Sequence, residues 1–513
     1  MTRISIEQAL PEHGQSSMLE LMPKRERRRG HAAWRAAPGM QRNTKATLLS
    51  MLVCLFVLAG CTVGPDYVKP ETALDPLHNA EAVASRPSAP EEPPLDQWWT
   101  GFHDPQLTKI IERVFKQNLD IQASLERVGQ ARAVVRASGA KLLPTLDANA
   151  QATYERASLE DPLAAVANSV GFPRYMEVYS VGLSSSWEVD LFGGLRRQEE
   201  AALAMAGAAE AMHAGVRISV AAEAADTYFR IRGDQAQLQV IEARIVNDTD
   251  LLAMLREQRA HGLATDREVA QGEALLAHTQ GVGTLLRIDL EVQLNRIDVL
   301  MGVQPGTYAN ELRVPSAVPA APRITAQSSD FLRRRPDVIA AERELAAANA
   351  RIGAALAGYY PAISLSGLLG YEAFTGGQLF RNETLQPVGI VGLRWRLFDF
   401  GRVDAEVAQA DAATREALVR YRQVVLRAAE DVENACIALV QLEAYSQDVA
   451  RQINALTQVY EDSKTAYRAG MIPLTDVLDA DRQLLAAGSE LPRAQADAVR
   501  ASVRLFRSLG GGW

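Results

Sequence analysis

The stretch 470–482 holds the most pointed chemistry in the chain. Gly470 and Pro473 break one long helix and start its return partner, and Asp476 and Asp479, three apart, fall on one face of the new helix. Carboxylates in the first turn after Pro473 stabilise the positive helix end. Arg394 and Arg396 are a second charged pair, at alternate positions of a strand-like run, where they line an interior or end a strand. The seven histidines show no metal-ligand spacing, no Gly-rich phosphate loop follows a strand, and no nucleophile has a triad context. These residues argue against an enzyme and against a metal site.

Cys61 carries chemistry of another kind, because it closes the apolar segment Met51-Leu-Val-Cys-Leu-Phe-Val-Leu-Ala-Gly-Cys61. The apolar run 46–60 falls short of the roughly 20 residues of a membrane span but suits a signal-peptide core of about 7 to 15. Leu58-Ala59-Gly60-Cys61 resembles a lipobox, which implies cleavage before Cys61 and a mature N-terminus carrying acyl chains and diacylglycerol. An ordinary secretory signal with a chance cysteine is the alternative. Thr62 stands where an aspartate would mark inner-membrane retention, so the resemblance favours the outer membrane.

Residues 1–39 carry Lys24-Arg-Glu-Arg-Arg-Arg29 and no apolar core, whereas Met40-Gln-Arg-Asn-Thr-Lys45 supplies the short positive opening of a signal. Translation is therefore expected to start at Met40, with 1–39 an upstream extension and 40–60 the signal peptide; a nucleic-acid-binding basic arm is the rival reading. Without 1–60 the chain loses nine of 54 Lys+Arg and four of 62 Asp+Glu, and 45 cations against 58 anions leave a charge near −13. That balance argues against nucleic acid as a partner. Cys436, one small residue in a helical pattern, reads as packing, and acylation of Cys61 leaves no pair for an intramolecular disulfide.

The elements that must hold these residues come in two copies. A proline-rich lead, 61–100, with prolines at 65, 70, 76, 87, 90, 93 and 94, is expected to lie extended along a surface as a tether. A second Pro/Ala stretch within a linker, 311–328, separates residues 101–310 from 329–513. Leu142-Leu-Pro144-Thr-Leu146 corresponds to Tyr359-Tyr-Pro361-Ala-Ile363, Trp187-Glu-Val-Asp-Leu-Phe-Gly193 to Trp395-Arg-Leu-Phe-Asp-Phe-Gly401, and Gly262-Leu-Ala-Thr-Asp266 to Gly470-Met-Ile-Pro-Leu-Thr-Asp476, at offsets of 217, 208 and 208.

Each half has two alternating segments, the pattern of strands with unlike faces. Leu146, Ala148, Ala150, Ala152 and Tyr154 alternate with polar residues, as do Tyr179, Val181, Leu183, Trp187 and Val189; the second copy has Ile363, Leu365, Leu369 and Tyr371, then Val391, Leu393, Trp395 and Leu397. All four have the length of membrane strands, with aromatics suited to the interfaces, although a soluble sheet packed on one face has the same pattern. Between them, residues at spacings of three and four from Leu418 through Tyr421, Val425, Ala428, Val432, Ala435 and Leu439 to Tyr460 and Tyr467 form a coiled-coil seam. Residues 402–469 and 195–260 would each span roughly 100 Å as helix.

Four strands cannot close a membrane barrel, so copies must associate. Two would give eight strands with a filled interior, and three give twelve with room for a lumen. The predicted architecture is mixed and mainly α, two repeats of strand-strand plus long antiparallel coiled-coil helices, with a homotrimer forming a 12-stranded transmembrane β-barrel continuous with a periplasmic α-helical barrel.

The chain resembles the TolC-like outer-membrane factors, in particular the lipoprotein branch serving tripartite efflux pumps of the RND class. The resemblance rests on Gly64-Pro65-Asp66-Tyr67, Trp98-Trp99 with Asp104-Pro105, Arg334-Arg335-Pro336-Asp337 with Ala341-Glu342, and Tyr467-Arg-Ala-Gly470 followed by Asp476-Val-Leu-Asp479-Ala480. It implies a passive exit duct for drugs or other small toxic compounds, closed at its periplasmic end until a periplasmic adaptor and an inner-membrane RND transporter engage it. It implies that Asp476 and Asp479 face the axis, where three copies gather six carboxylates that attract cations, and that Asp266 and Tyr467 make interhelical gate contacts, against a plain surface role. It implies adaptor-contacting tips at Gly262, Leu263, Gly470 and Met471, and outer-membrane lipid around the barrel. An arginine of the gate in some members is here Ile472, and the first tip is two residues shorter. A protein-secretion duct of the same family and a pore-free periplasmic coiled-coil lipoprotein are the alternatives.

Overall fold

Long alanine-rich segments run as helix until a glycine with left-handed backbone stops them, and this chain does so twice over. Helices α1 (Pro105–Gln117) and α2 (Leu119–Ala140), strands β1 (Thr145–Arg156) and β2 (Tyr175–Val189), and helices α3 (Gly194–Ala260) and α4 (Asp266–Leu300) make the first half. Helix α5 (Pro336–Leu356), strands β3 (Ala362–Ala373) and β4 (Leu385–Arg394), and helices α6 (Arg402–Arg468) and α7 (Leu474–Ser508) make the second. The computed structural model describes residues 62–71, 75–86, 93–156, 158, 174–324 and 331–512; the leader, the expected start at Met40 and Cys61 lie outside them.

The two halves coincide element by element. A shift of 217 carries β1 onto β3 end to end, and a shift of 208 carries α3 onto α6 and α4 onto α7 end to end. Helices α3 and α6 are 67 residues each, about 100 Å at 1.5 Å per residue, and α4 and α7 are 35 each. Their local determinants are duplicated too. Gly193 (φ 77°) and Gly401 (φ 79°) turn the chain into α3 and α6. Just before them, Asp190 accepts from the N–H groups of Leu195 (3.1 Å) and Arg196 (2.9 Å), and Asp399 from those of Gly401 and Val403 (both 3.1 Å). The Trp187 indole donates to Leu142 O (2.8 Å) and that of Trp395 to Tyr359 O (3.0 Å), equivalent bonds that tie each strand end to the loop before Pro144 or Pro361.

The strands form one antiparallel sheet in the order β1-β2-β3-β4, so β1 and β4 are unpaired edges. Most apolar residues of the sheet, including Leu146, Tyr154, Leu369, Val391 and Leu393, are exposed. One expectation changes: β4 stops at Arg394, and Trp395, Arg396 and Leu397 lie beyond it, because the edge has no partner to hold their backbone extended.

The helices form a single layer. Near the sheet α3 lies between α2 and α5, and α5 packs on α6; farther away α3 lies between α4 and α7, and α7 packs on α6. Helix α3, flanked on both sides, buries 25 residues; α6, flanked by α5 and α7 alone among these long helices, buries nine. The seam read for α6 is that buried side: Tyr421, Val425, Ala428, Val432, Ala435 and Leu439 are buried, and Ile453, Leu456, Tyr460 and Tyr467 half-buried. Cys436 packs among them, and burial pushes its thiol up to about 11.

The lead is not wholly a surface tether. Its first part is docked: Val63 N–H donates to Phe192 O (3.0 Å), and Glu433 of α6 accepts from the backbone of His78 and Asn79. Its last part, Leu95–Phe102, coils into the main core, with Trp98 fully buried and stacked on Phe506 at 5.5 Å. Apolar burial of two tryptophans and a phenylalanine outweighs the extended preference of the prolines before them. The tips differ from expectation too: both connections span five residues, 261–265 and 469–473, so the first turn is not the shorter.

Candidate functional site

Each tip is a Schellman turn. Leu263 N–H donates to Gln258 O (2.8 Å) and Gly262 N–H to Arg259 O (3.0 Å), while Met471 N–H donates to Ala466 O (2.9 Å) and Gly470 N–H to Tyr467 O (2.8 Å). Both hinges need positive φ, 75° at Gly262 and 73° at Gly470. Leu263 and Met471 project from these turns, 78% and 71% exposed. The returning helices start differently: Thr265 and Glu268 close a reciprocal capping box on α4, whereas α7 starts from Pro473 without a side-chain cap.

Behind the tips a small core joins Leu255 of α3, Leu275 of α4, and Leu474, Val477 and Leu478 of α7. Burying that stripe of α7 leaves Asp476 and Asp479 together on its exposed face. Asp479 accepts from Arg482 (3.1 Å), and the Thr475 hydroxyl lies 3.4 Å from Asp476. Tyr467 packs on the same small core, and burial, followed by the charge of Glu268, pushes its phenol up. Asp266 is not joined to it. Asp266 takes a two-pronged bond from Arg259 at 2.6 and 3.0 Å, which holds its carboxyl below the usual range.

The motif residues outside the tips clamp the scaffold. Gly64 (φ 97°) lies so close to α5 that a Cβ would sit 2.4 Å from Gly353 Cα, and Asp66 pairs with buried Arg197 at 2.7 Å. Asp104 caps α1 through the N–H groups of Gln106 (2.9 Å) and Leu107 (3.1 Å) and accepts from Tyr228 (2.6 Å). Arg335 binds Asp337 (2.6 Å), Asp431 (2.8 Å) and Ser508 O (3.1 Å), and Glu342 accepts from Lys69 (2.6 Å). A family model described as outer membrane efflux protein matches residues 110–303 and 328–511. The chain belongs to the outer membrane efflux protein family.

This efflux protein is 31% identical over 427 residues to the pyoverdine export outer membrane protein OpmQ of Pseudomonas putida, covering 82% of this chain and 89% of the relative. It is 28% identical over 475 residues to the solvent efflux pump outer membrane protein SrpC of Pseudomonas putida, covering 90% and 97%. Among solved structures the outer-membrane channel OprN matches with a TM-score of 0.81 at 32% identity, over 88% of this chain and all (100%) of that one. The CmeC outer membrane channel of Campylobacter jejuni has the same fold, TM-score 0.81 at 21% identity. The molecule is an outer-membrane efflux channel protein, and its fold is that of channels rather than of known enzymes.

Two features of the efflux protein escaped the sequence reading. Arg244 of α3 pairs with Asp481 of α7 and lies 3.0 Å from Asp248, which accepts from the Thr279 hydroxyl of α4 (2.7 Å); the guanidinium is also 5.8 Å from the Tyr460 ring of α6. Four helices thus meet at one buried charged cluster. Its signal was present: Asp481 occupies the seam position between Leu478 and Leu485. The second is Arg232, buried and bonded to Gln235 (2.8 Å), Gln106 (2.5 Å) and Val314 O (2.6 Å). Arg394 and Arg396 share a pocket with Glu188, Asp190 and Glu406 where the sheet meets the helices.

Proposed function

We propose that three copies of this efflux protein form the passive exit duct of an RND-type tripartite pump, expelling small organic compounds. The observation that carries this is the pair of open sides: β1 and β4 are unpaired, and α6 buries nine residues where α3 buries 25. A row of unsatisfied backbone groups is untenable in lipid, and an open apolar helix flank is unfavourable in water, unless another copy covers them. One flank of the layer is α2 and α4 and the other is α6, so the contact is head-to-tail and closes as a ring. Three sheets of four strands give twelve, enough for a lumen.

In this reading the twelve-residue strand β1 spans the outer membrane and the ~100 Å helices reach through the periplasm. Cys61 carries acyl chains and diacylglycerol at the inner leaflet, supported by the docking of Val63 at the end of β2. Asp476 and Asp479 of three copies form the narrow tip, with Asp266 and Tyr467 as neighbouring gate contacts. Gly262, Leu263, Gly470 and Met471 meet the periplasmic adaptor, whose partner is the inner-membrane transporter. Arg394 and Arg396 face the barrel lumen. The divisions 1–39, 40–60, 61–100, 101–310, 311–328 and 329–513 belong to the same reading.

Conductance in planar bilayers tests it. Multivalent cations should block the channel from the tip side, and Asp476→Ala with Asp479→Ala should raise the half-blocking concentration by about tenfold, equivalent to about 1.4 kcal/mol of lost attraction. Unchanged block removes the carboxylate gate; no conductance in the wild type, the variant or an adaptor-bound state removes the duct.

A further inference from the structure

The duplication sets more than the number of copies, because the strand registers obey it residue by residue. Within the first repeat Thr145 pairs with Ser186 and Tyr154 with Glu177. Shifting the β1 residue by 217 and the β2 residue by 208 gives Ala362 with Arg394 and Tyr371 with Leu385, the pairs found between β3 and β4. The junction from first repeat to second, β2 with β3, pairs Val189 with Ile363 and Tyr179 with Ala373. The junction from the second repeat to the first repeat of another copy is its symmetry equivalent. Advancing the β2 residue by 208 and moving the β3 residue back by 217 fixes it.

Resting on the trimeric reading above, we propose that β4 pairs with β1 of the partner subunit in the single register that sets Leu397 opposite Leu146 and Pro387 opposite Arg156. Pairing then extends β4 past Arg394 through Leu397, as Val189 at the end of β2 is held by Ile363.

Three independent features fit this register. Arg396 faces Asp147 and Arg394 faces Asn149, a charge and an amide partner on the polar face. On the other face the sizes interlock: Trp395, Leu393 and Val391 meet Ala148, Ala150 and Ala152, and Tyr154 meets Gly389. A slip of two residues preserves the faces but sets Trp395 against Leu146 and Pro387 against Tyr154. The third feature is in the loops. Phe192 stacks on Tyr360 at 4.5 Å across the in-chain junction. The same shifts turn these into Phe400 and Leu143, which are 90% and 65% exposed. Phe400 also holds a left-handed φ of 57°, and although its ring meets that of Phe398 edge-on at 4.6 Å, it stays largely exposed, so most of this backbone cost is left uncovered within the chain. Leu143 of the partner subunit covers it.

Cysteine pairs in full-length protein, purified in detergent and treated with an oxidant, test the register. Arg396→Cys with Asp147→Cys should give a covalent ladder ending at the trimer, as should no pair shifted by two, such as Arg394→Cys with Asp147→Cys. The in-chain equivalent, Glu188→Cys with Ser364→Cys, shows that pairs at this position oxidise. A ladder from the shifted pair, or none from Arg396→Cys with Asp147→Cys while light scattering still finds a trimer, overturns the register and leaves the trimer standing. A monomer by light scattering with no ladder removes the trimer itself. Separately, Phe400→Ser should lower the temperature at which detergent-resistant trimers separate; an unchanged temperature overturns the loop contact.

Discussion

Asp234 shows how one residue can report on this molecule. It lies in a cleft between α3, α4 and α7 with Oδ2 buried and without a partner. Burial first, and the charge of Asp289 second, raise its carboxyl to about 6, against the opposing charges of Arg230, Arg500 and Arg493. Because the folded value lies above the unfolded one, this group's contribution to stability is fully present below pH ~4 and is lost as pH rises through about 6. Asp234→Asn should therefore gain in melting temperature over the wild type as pH climbs across that window. A difference that stays constant with pH in circular dichroism melts would contradict the assignment.

Among elements, the charged cluster of Arg244, Asp248, Thr279 and Asp481 fixes how α3, α4 and α7 pack just above the tip. Asp248 and Asp481 are 2% and 1% exposed and share one cation, so removing Arg244 strands two carboxylates in a dry environment. Arg244→Met should cost about 3–5 kcal/mol, while Arg244→Met combined with Asp481→Leu, which leaves Asp248 alone without its cation, should recover part of it. Thermal melts of the single and double variants measure this, and equal losses in both would mean that packing, not charge, dominates. The seam pattern of three and four located these helices and their buried stripes, since periodicity alone decides which face is apolar. It could not reveal that the aspartate in the stripe had an arginine waiting on another helix, because that pairing links positions 237 residues apart.

For the whole molecule, the N-terminal lead acts as a strap across the helical layer. Arg197 of α3 holds Asp66, Val63 O and Gly64 O; Asn349 of α5 holds Pro65 O; and Glu433 of α6 accepts from His78, Asn79 N–H and the Asn79 side chain. Glu433→Ala removes the α6 end of the strap. Limited proteolysis should then cut within 70–92 several-fold faster while the assembly persists on gel filtration; an unchanged cleavage rate would show that the other contacts suffice. By itself the sequence determined the duplication, the four strands, the two pairs of long helices, the turns at Gly262 and Gly470 and the exposed carboxylates, because each follows from local periodicity or from a glycine or proline at a fixed offset. Only the tertiary structure decided that β4 ends at Arg394, that Asp266 is committed to Arg259, that Trp98 belongs to the core and that the strand registers repeat residue by residue. Those outcomes depend on which distant segments meet, and the energy of such a meeting is written in no single stretch of chain.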